Sequence, residues 1–213
     1  SGRAARLRDA RGRRFESPSV SGVAARPGAT VVLTLNYELQ EIVDRALGDA
    51  VARMGAKGGD IVVLDPHSGA VLALASHRES ERNHAATAMT EAFEPGSTLK
   101  PLIAATLLAL GRAGPGDIVN TYDGRYTIHG RTVHDEHPSR SLSLTEVIGQ
   151  SSNVGIVRFA ERLTRGEQYQ GLRDFGFGTP TGALYPSETG GRLRLPSEWS
   201  KQSPASLAVG YGI

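Results

Sequence analysis

The 213-residue chain contains no cysteine and no long apolar run, and only 6% of its residues are aromatic. Without cysteine, the chain cannot form disulfides, use a thiolate nucleophile or bind zinc through sulfur. Because it lacks about 18 consecutive apolar residues, the sequence predicts no membrane-spanning helix, and its arginine-rich start is unlike an export signal. A hydrophobic content of 39% still suffices for a buried core, so we expect a globular protein.

The basic charge of the chain is concentrated near its start. The formal net charge is only +2, yet the first 26 residues contain Arg3, Arg6, Arg8, Arg11, Arg13, Arg14 and Arg26. We interpret residues 1–29 as an exposed basic linker rather than a surface for nucleic acid or anionic lipid, because such charge runs are most often solvated. The Arg-Pro-Gly turn signal near its end places the start of the domain near residue 30.

The first part of the domain predicts a strand, a helix and a β-hairpin. TVVLTL at 30–35 has the β-branched composition of a strand, and Asn36 can cap the helix that follows. Apolar residues then recur at the three-and-four spacing of one helix face over 39–54. The apolar runs 61–64 and 71–75 flank an Asp-Pro-His-Ser-Gly turn, and their continuous apolar character predicts a sheet covered on both faces by helices.

The later segments predict a mainly helical region. An apolar helix runs through Leu110, a small hairpin surrounds His129-Gly130, and Ser143-Leu-Thr-Glu has the spacing of a capping box. Residues 151–163 predict another amphipathic helix, and the last forty residues are a Gly- and Pro-rich loop with one further turn of helix. The predicted strands are too few for a stable sheet with helices on both faces. We expect a mixed α/β (α+β) fold.

Ser97 and Lys100 lie three residues apart in FEPGSTLKP. Glu-Pro-Gly breaks any preceding helix, and Pro101 is tolerated only near a helix start, so Ser97 belongs to the first turn of a new helix. Residues three apart share a helix face, which brings the Lys100 amine within reach of the Ser97 hydroxyl. A lysine whose pKa is lowered by burial can activate a serine nucleophile. On its own, this spacing is more often a helix cap beside a solvated lysine.

A second candidate group is Ser151-Ser152-Asn153, at the start of another predicted helix. A hydroxyl there can relay a proton between Lys100 and a leaving group, and the Asn153 amide can bind a substrate amide through one donor and one acceptor. By itself, Ser-Ser-Asn is merely a good helix start. Serine-x-x-lysine and serine-x-asparagine are, however, two of the three motifs that mark penicillin-binding proteins and class A β-lactamases.

The chain resembles the transpeptidase domain of the class B penicillin-binding proteins from about residue 28 onward. The resemblance runs in order through TVVLTLNYELQ, GGDIVVLDPHSGAVLALAS, FEPGSTLKP, SSNVGIVRFAERL, FGFGTPTGALYPSETGGRL, PSEWS and AVGYGI. It implies a penicillin-binding protein/serine β-lactamase-like fold, with an antiparallel sheet covered by helices plus a helical subdomain. It also implies Ser97 as acylated nucleophile, Lys100 as general base, Ser151 as proton relay and Asn153 as substrate-binding amide, with no metal or organic cofactor.

The same resemblance implies substrates, partners and location. The substrates would be peptidoglycan stem peptides, whose D-alanyl-D-alanine bond is attacked, and β-lactam antibiotics would acylate the same serine. Cell-division or elongation membrane proteins would be partners, and nucleic acid would not. Family members sit at the cell inner membrane with this domain facing the periplasm or cell exterior, so we expect membrane contact only through an N-terminal anchor outside these residues.

The sequence departs from the family in one motif. Family members carry lysine-threonine-glycine on a later strand, and no such triplet occurs in these 213 residues. We therefore expect residues 1–29 to be the remnant of an N-terminal pedestal, and residues 30–213 to be the N-terminal part of a transpeptidase domain truncated before that motif, with the C-terminal strands missing. We expect the isolated chain to turn over substrate poorly or not at all.

Other interpretations stay open at this point. HGRTVHDEH, residues 129–137, contains three histidines with Asp135 and Glu136 and can be a metal site instead of a polar loop near the active-site rim. A β-lactamase-like serine hydrolase would share both motifs but would deacylate with water. A non-catalytic scaffold or sensor that binds cell-wall peptide or division proteins would keep the fold without the third motif.

Overall fold

The computed structural model of the protein describes residues 7–15, 26–79, 86–183, 185 and 187–213. The basic linker predicted at 1–29 lies outside the described residues at 1–6 and 16–25. Between those gaps, strand β1 (Leu7–Arg8) pairs antiparallel with β2 (Arg14–Phe15). The Gly- and Pro-rich loop predicted near the end lies outside the description at 184 and 186, as does 80–85 in an earlier polar segment.

Helices and short antiparallel hairpins alternate along the described chain. The further strands are β3 (Gly58–Leu64), β4 (Val71–Arg78), β5 (Ile118–Asn120), β6 (Arg125–Ile128), β7 (Arg131–His134) and β8 (Ser141–Ser143). The helices are α1 (Tyr37–Met54), α2 (Thr87–Thr90), α3 (Lys100–Ala109), α4 (Leu144–Gly149), α5 (Asn153–Ala160), α6 (Arg165–Asp174) and α7 (Ser203–Ala208). Short 3₁₀ turns lie at Gly96–Leu99, Tyr122–Gly124 and Pro196–Glu198. The mixed α/β class expected from the sequence is confirmed.

Helix α1 and the β3–β4 hairpin form one packed unit. Asn36 caps α1 by accepting a hydrogen bond from Leu39 N, and Gly55 ends it in the left-handed conformation, as the sequence predicts. One face of α1 packs on the hairpin through a cluster made of Val43, Leu47, Val51, Ala73 and Ala75. The Gln40 side chain fixes helix to strand, because its amide accepts from Leu74 N at 2.9 Å and donates to Leu74 O at 3.0 Å.

Two expectations about this unit are wrong. Residues 30–35 form no regular strand: Val32 is 89% exposed, and the segment touches β4 through a hydrogen bond from Thr34 Oγ1 to Val71 O. The β-branched composition of this segment is not sufficient, because a strand also needs a continuous ladder of partners. The hairpin is also covered on one face only along most of its length, since Val62 and Leu64 on the face away from α1 are exposed.

The main hydrophobic core lies around α3 and α5. Leu99, Ile103, Leu107, Ile156 and Phe159 are at most 1% exposed and pack with residues of α4, α6 and α7. Capping boxes start α4 at Ser143–Glu146, as predicted, and α6 at Thr164–Glu167. No helix in the described ranges is long and apolar enough to cross a lipid bilayer.

Two antiparallel strand pairs lie between α3 and α5. Strand β5 pairs with β8, and β6 pairs with β7 around His129-Gly130, where the sequence predicts a hairpin. Strand β7 contacts α5, so the polar segment that follows β7 lies at the N-terminus of that helix. This arrangement places the histidine-rich segment beside the Ser151-Ser152-Asn153 motif.

Candidate active site

Ser97 lies on the turn that enters α3. The 3₁₀ turn Gly96–Leu99 leads directly into the helix, and Pro101 occupies the first turn, where a missing N–H is tolerated. Gly96 has a left-handed φ of +56°, which turns the chain so that Ser97 is exposed while Leu99 and Lys100 are buried. The position predicted for Ser97 from Glu-Pro-Gly and Pro101 is therefore the observed one.

Lys100 is buried, with only 2% of its surface exposed. Its Nζ donates hydrogen bonds to Ser151 O at 2.5 Å and to Ser151 Oγ at 3.0 Å. Burial lowers the pKa of Lys100 below the ordinary value of 10.5, and the nearby carboxylates of Asp135 and Glu136 partly oppose that shift. A lysine in this environment is more easily neutral than one in water, as a general base must be.

The Lys100 amine is bonded to Ser151 rather than to Ser97. Within the described residues, the Ser97 hydroxyl makes no hydrogen bond and faces the cleft described below. Ser151 has a left-handed φ of +55°, an uncommon conformation for serine, and its N–H donates to Ile148 O at 3.2 Å. This conformation lets both the carbonyl and the hydroxyl of Ser151 accept from one amine, so Lys100 and Ser151 form a preorganised pair.

Asn153 is the first residue of α5, and its side chain is partly engaged. Its Nδ2 donates to His134 O at 2.9 Å, which anchors the amide to β7. The amide oxygen keeps its acceptor capacity, and the second N–H also remains to donate. Asn153 lines the same cleft as Ser97, so the structure brings these two residues, as well as Lys100 and Ser151, to one region.

Asp135 holds the start of α5 in place. Its carboxylate accepts from Ser152 Oγ at 2.7 Å and from Val154 N at 2.8 Å, while Ser152 Oγ caps the helix by accepting from Gly155 N. These bonds fix the residue on each side of Ser152, namely Ser151 and Asn153. The sequence offers no spacing rule for a carboxylate 17 residues before a helix N-cap, so this positioning role was not predicted.

The cleft itself has a volume of about 300 Å³. Its walls come from the turn that carries Ser97, β7, the start of α5 and the end of the chain: Ser97, Arg131, Thr132, Val133, His134, Glu136, Asn153, Val209 and Tyr211. The lining is mainly polar, with side chains of both charges next to Ser97. Such a cleft can receive an extended, polar substrate.

The segment after α7 contacts the turn that carries Ser97 and stabilises it. Gly96 N donates to Gly210 O at 3.0 Å, and Gly212 N donates to Glu94 Oε1 at 2.7 Å. Gly210 has a φ of +88°, and a Cβ at this position would lie 1.9 Å from Gly96 O. Only glycine permits this approach of two backbone segments. The Gly-Tyr-Gly sequence thus positions the turn that carries Ser97.

The potential metal ligands of the histidine-rich segment are not gathered around one point. Across the described residues, which include all of 129–137, no three potential His, Asp or Glu ligands lie close enough to hold an ion. Asp135 is committed to Ser152 and Val154 instead. His134 and Glu136 line the cleft, as expected of a polar loop at the rim of an active site.

Comparison with known proteins gives consistent results. A sequence profile of the penicillin binding protein transpeptidase domain matches residues 59–213. A probable peptidoglycan D,D-transpeptidase PenA of Neisseria flavescens is 34% identical over 97% of this chain and 54% of its own length. A probable peptidoglycan D,D-transpeptidase PbpC of Pseudomonas aeruginosa is 33% identical over 86% of this chain and 34% of its own length.

A solved structure has the same fold. The apo TP domain of penicillin-binding protein 3 from Burkholderia pseudomallei superimposes with a TM-score of 0.78 at 30% sequence identity, covering 88% of this chain and 55% of that chain. The chain thus spans about half the length of the first curated relative and about a third of the second. The turn that carries Ser97, α5 and the Gly-Tyr-Gly segment all fall within the matched 59–213.

Proposed function

The chain belongs to the penicillin-binding protein transpeptidase family, and we propose that residues 30–213 supply the nucleophile-bearing part of a peptidoglycan D,D-transpeptidase domain. One observation carries this proposal: the buried Lys100 amine, its pKa lowered, is hydrogen-bonded to Ser151, and the exposed Ser97, three residues earlier, lines the cleft. A structural lysine would be expected to pair with a carboxylate when buried. This one pairs with a hydroxyl and a carbonyl, which both tolerate its neutral form.

The first half-reaction forms an acyl-enzyme. Ser97 Oγ attacks the carbonyl carbon of the penultimate D-alanine of a stem peptide, and its proton passes to the neutral Lys100 amine. The C–N bond to the terminal D-alanine then breaks. Ser151 passes a proton to the departing nitrogen and recovers one from the Lys100 ammonium, so free D-alanine and a Ser97 ester are the products.

The second half-reaction returns the enzyme to its starting state. An amine of another stem peptide attacks the ester carbonyl and gives its proton to Lys100. The bond to Ser97 Oγ breaks, Ser97 recovers its proton from Lys100, and a new amide cross-link remains. Asn153 holds the donor peptide during both steps through its free amide oxygen and N–H.

A β-lactam undergoes only the first of these two half-reactions. Its scissile amide closes a ring, so the leaving nitrogen stays attached to the acyl group after Ser97 attacks. The adduct therefore retains the whole antibiotic, and its leaving group continues to block the approach of an acceptor amine. Covalent, long-lived penicillin binding at Ser97 is part of the proposed function.

The proposal extends to the location and the partners of the protein. The relatives named above are bacterial proteins that are described as acting on peptidoglycan. By extension, this chain works at the cell inner membrane, facing the periplasm or cell exterior, together with membrane proteins of division or elongation. Its polar cleft and the proposed acyl transfer fit peptide substrates and require no metal or organic cofactor.

The test uses protein produced from its complete open reading frame. Fluorescent penicillin should label it, Ser97→Ala should abolish labelling, and Lys100→Met should slow labelling by about 10²–10⁴-fold because the general base is lost. Lys201→Met, which removes an exposed ammonium elsewhere, is the matched control and should label normally. Stem peptide ending in D-alanyl-D-alanine should release D-alanine with the same dependence on Ser97 and Lys100.

The lifetime of the adduct separates the alternatives. A penicilloyl group that stays bound for many turnovers of stem peptide supports the transpeptidase. Rapid hydrolysis of penicillin would instead assign a β-lactamase-like hydrolase. If neither an adduct nor D-alanine release occurs, the proposal fails in favour of a non-catalytic binding protein.

A further inference from the structure

Two stacked tyrosines form an aromatic surface beside the cleft. The ring centroids of Tyr122 and Tyr126 are 5.3 Å apart, and the rings are nearly parallel, at 9°. Tyr126 packs against the main core, whereas Tyr122 is 45% exposed. Since 45% of Tyr122 stays exposed despite the stack, part of this side chain is accessible to a ligand.

The backbone is strained where it presents Tyr122. Tyr122 and Asp123 have consecutive left-handed φ values of +51° and +52°, which are disfavoured for residues with a Cβ. The turn is held by Asn120, whose side chain accepts from Tyr122 N at 2.7 Å, and by the buried Thr121, whose hydroxyl donates to Ser139 O. Strain of this kind persists where the surrounding structure enforces it and is typical of functional sites. Because Tyr122 is exposed, its burial does little to offset that backbone strain.

Charged groups surround the two rings. The Arg158 guanidinium carbon lies 4.9 Å from the centre of the Tyr126 ring and 5.8 Å from that of Tyr122. Arg158 also donates to Glu161 and to Tyr126 Oη, and Tyr126 Oη donates to Glu161 at 3.0 Å. The exposed Glu161 carboxylate thus lies at the rim of the tyrosine pair, and the exposed Asp123 directly follows Tyr122 in the chain.

A flat ligand with an apolar face and a polar rim fits this surface. Pyranose sugars have that character, because their C–H groups stack on the negative face of an aromatic ring while their hydroxyls bond to neighbouring charged groups. We propose that the stacked Tyr122 and Tyr126 bind the glycan strand of peptidoglycan, with one N-acetylated sugar ring on the exposed part of Tyr122. This inference rests on the proposed function, since it names the polymer that carries the stem peptide.

The tyrosine pair is connected to the catalytic residues through hydrogen bonds and shared elements. Gly124 O, in the strained turn, accepts from Asp135 N at 2.9 Å, and Asp135 in turn fixes the start of α5. Tyr126 stands opposite Val133 in the β6–β7 register, and Val133 lines the cleft. A glycan strand on Tyr122 therefore lies beside the cleft into which its stem peptide enters.

Calorimetric titration with chitohexaose, a β-1,4-linked N-acetylglucosamine oligomer without peptide, tests the proposal on protein from the complete open reading frame. Tyr122→Ala should weaken binding by about tenfold or more, as loss of a central aromatic contact does. Tyr122→Phe, which keeps the ring, should bind within about threefold of the original protein, since stacking does not need the hydroxyl. Tyr37→Ala removes a tyrosine on α1 that is more exposed than Tyr122, at 82%, and is the matched control.

The readouts separate this proposal from the proposed function. Hydrogen exchange should slow at 120–128 on addition of chitohexaose, and circular dichroism checks that Tyr122→Ala is folded. If chitohexaose does not bind, or binds equally to the folded Tyr122→Ala protein, the glycan site is wrong even when penicillin acylates Ser97. If penicillin fails to acylate the unsubstituted protein, the proposed function itself fails, whatever chitohexaose does.

Discussion

Asp135 shows how a residue outside the recognised motifs can organise them. It bonds to the hydroxyl and the backbone at the start of α5 and lies close enough to influence the pKa of Lys100. Its place in a histidine-rich run made a metal site an open alternative, because sequence spacing does not show which groups a side chain will meet. The placement of Ser97 and Asn153 on one cleft, with Lys100 hydrogen-bonded to Ser151, agrees with the two motifs, whereas the roles of these four residues stay a prediction.

Replacing Asp135 separates its positioning role from its charge. Asp135→Ala should cost about 1–3 kcal/mol of stability because Ser152 Oγ and Val154 N lose their acceptor, and it should slow penicillin acylation. Asp135→Asn keeps an acceptor for Val154 N and should recover most of the stability in a denaturant titration. Equal acylation by Asp135→Ala and unsubstituted protein would contradict the role assigned to Asp135.

Glu136 provides a cleaner test of the Lys100 base. Acylation should rise with pH as Lys100 loses its proton, and the Glu136 carboxylate raises the pKa of Lys100 against the lowering caused by burial. Glu136→Gln removes that influence, so the rising limb of the acylation rate against pH should move to lower pH. Because Glu136 is exposed, the displacement should shrink as salt is added.

The control for this pH profile is Asp49→Asn, which neutralises an exposed carboxylate on α1. It should leave the profile in place. A rising limb that does not move in Glu136→Gln, or moves to higher pH, would mean that Lys100 is not the group whose deprotonation limits acylation.

At the scale of elements, the turn that carries Ser97 depends on a close backbone contact between Gly96 and Gly210. Gly210→Ala and Gly212→Ala each place an alanine at a left-handed φ, +88° and +83°, at a cost of about 1–2 kcal/mol. Only Gly210→Ala adds a clash with Gly96 O, and we expect it to lose a further ~1–3 kcal/mol and to acylate more slowly. Thermal unfolding and penicillin labelling of the two variants measure the difference. Equal behaviour would show that the contact does not position the turn.

The sequence predicts elements well where capping residues mark them. Asn36 and the Ser143–Glu146 box predict the starts of α1 and α4, and the structure confirms both. Helix α6 was not predicted, although Thr164 and Glu167 carry the same capping-box signal. The strand expected at 30–35 failed because strand formation depends on hydrogen-bond partners that lie elsewhere in the chain, which composition does not reveal.

At the scale of the molecule, the described residues form two hydrophobic cores. One joins α1 to the β3–β4 hairpin, and the other surrounds α3 and α5. Polar contacts join the β3–β4 hairpin to α2 and the residue after it, since Arg78 on β4 pairs with Asp60 and with Glu91, and Asp60 accepts from Thr87 at the start of α2. The division into two cores could not be read from the sequence, because both regions have similar apolar patterns.

Leu47→Ala should affect the smaller core alone. Loss of this buried side chain should cost about 2–5 kcal/mol locally, so amide exchange in α1 and the β3–β4 hairpin should accelerate. Exchange in α5 should stay unchanged, and penicillin labelling should persist. Ile42→Ala, at an exposed position of the same helix, is the matched control. Equal acceleration in α5 would show that the two cores unfold as one.

Localising the penicilloyl group by mass spectrometry tests the central claim most directly. Protein from the complete open reading frame is incubated with benzylpenicillin, digested and sequenced by tandem mass spectrometry. The expected result is one adduct with the mass of the whole antibiotic on Ser97, absent from Ser97→Ala and strongly reduced in Lys100→Met. An adduct on another residue, or its persistence in Ser97→Ala, would contradict the assignment of Ser97 as the nucleophile.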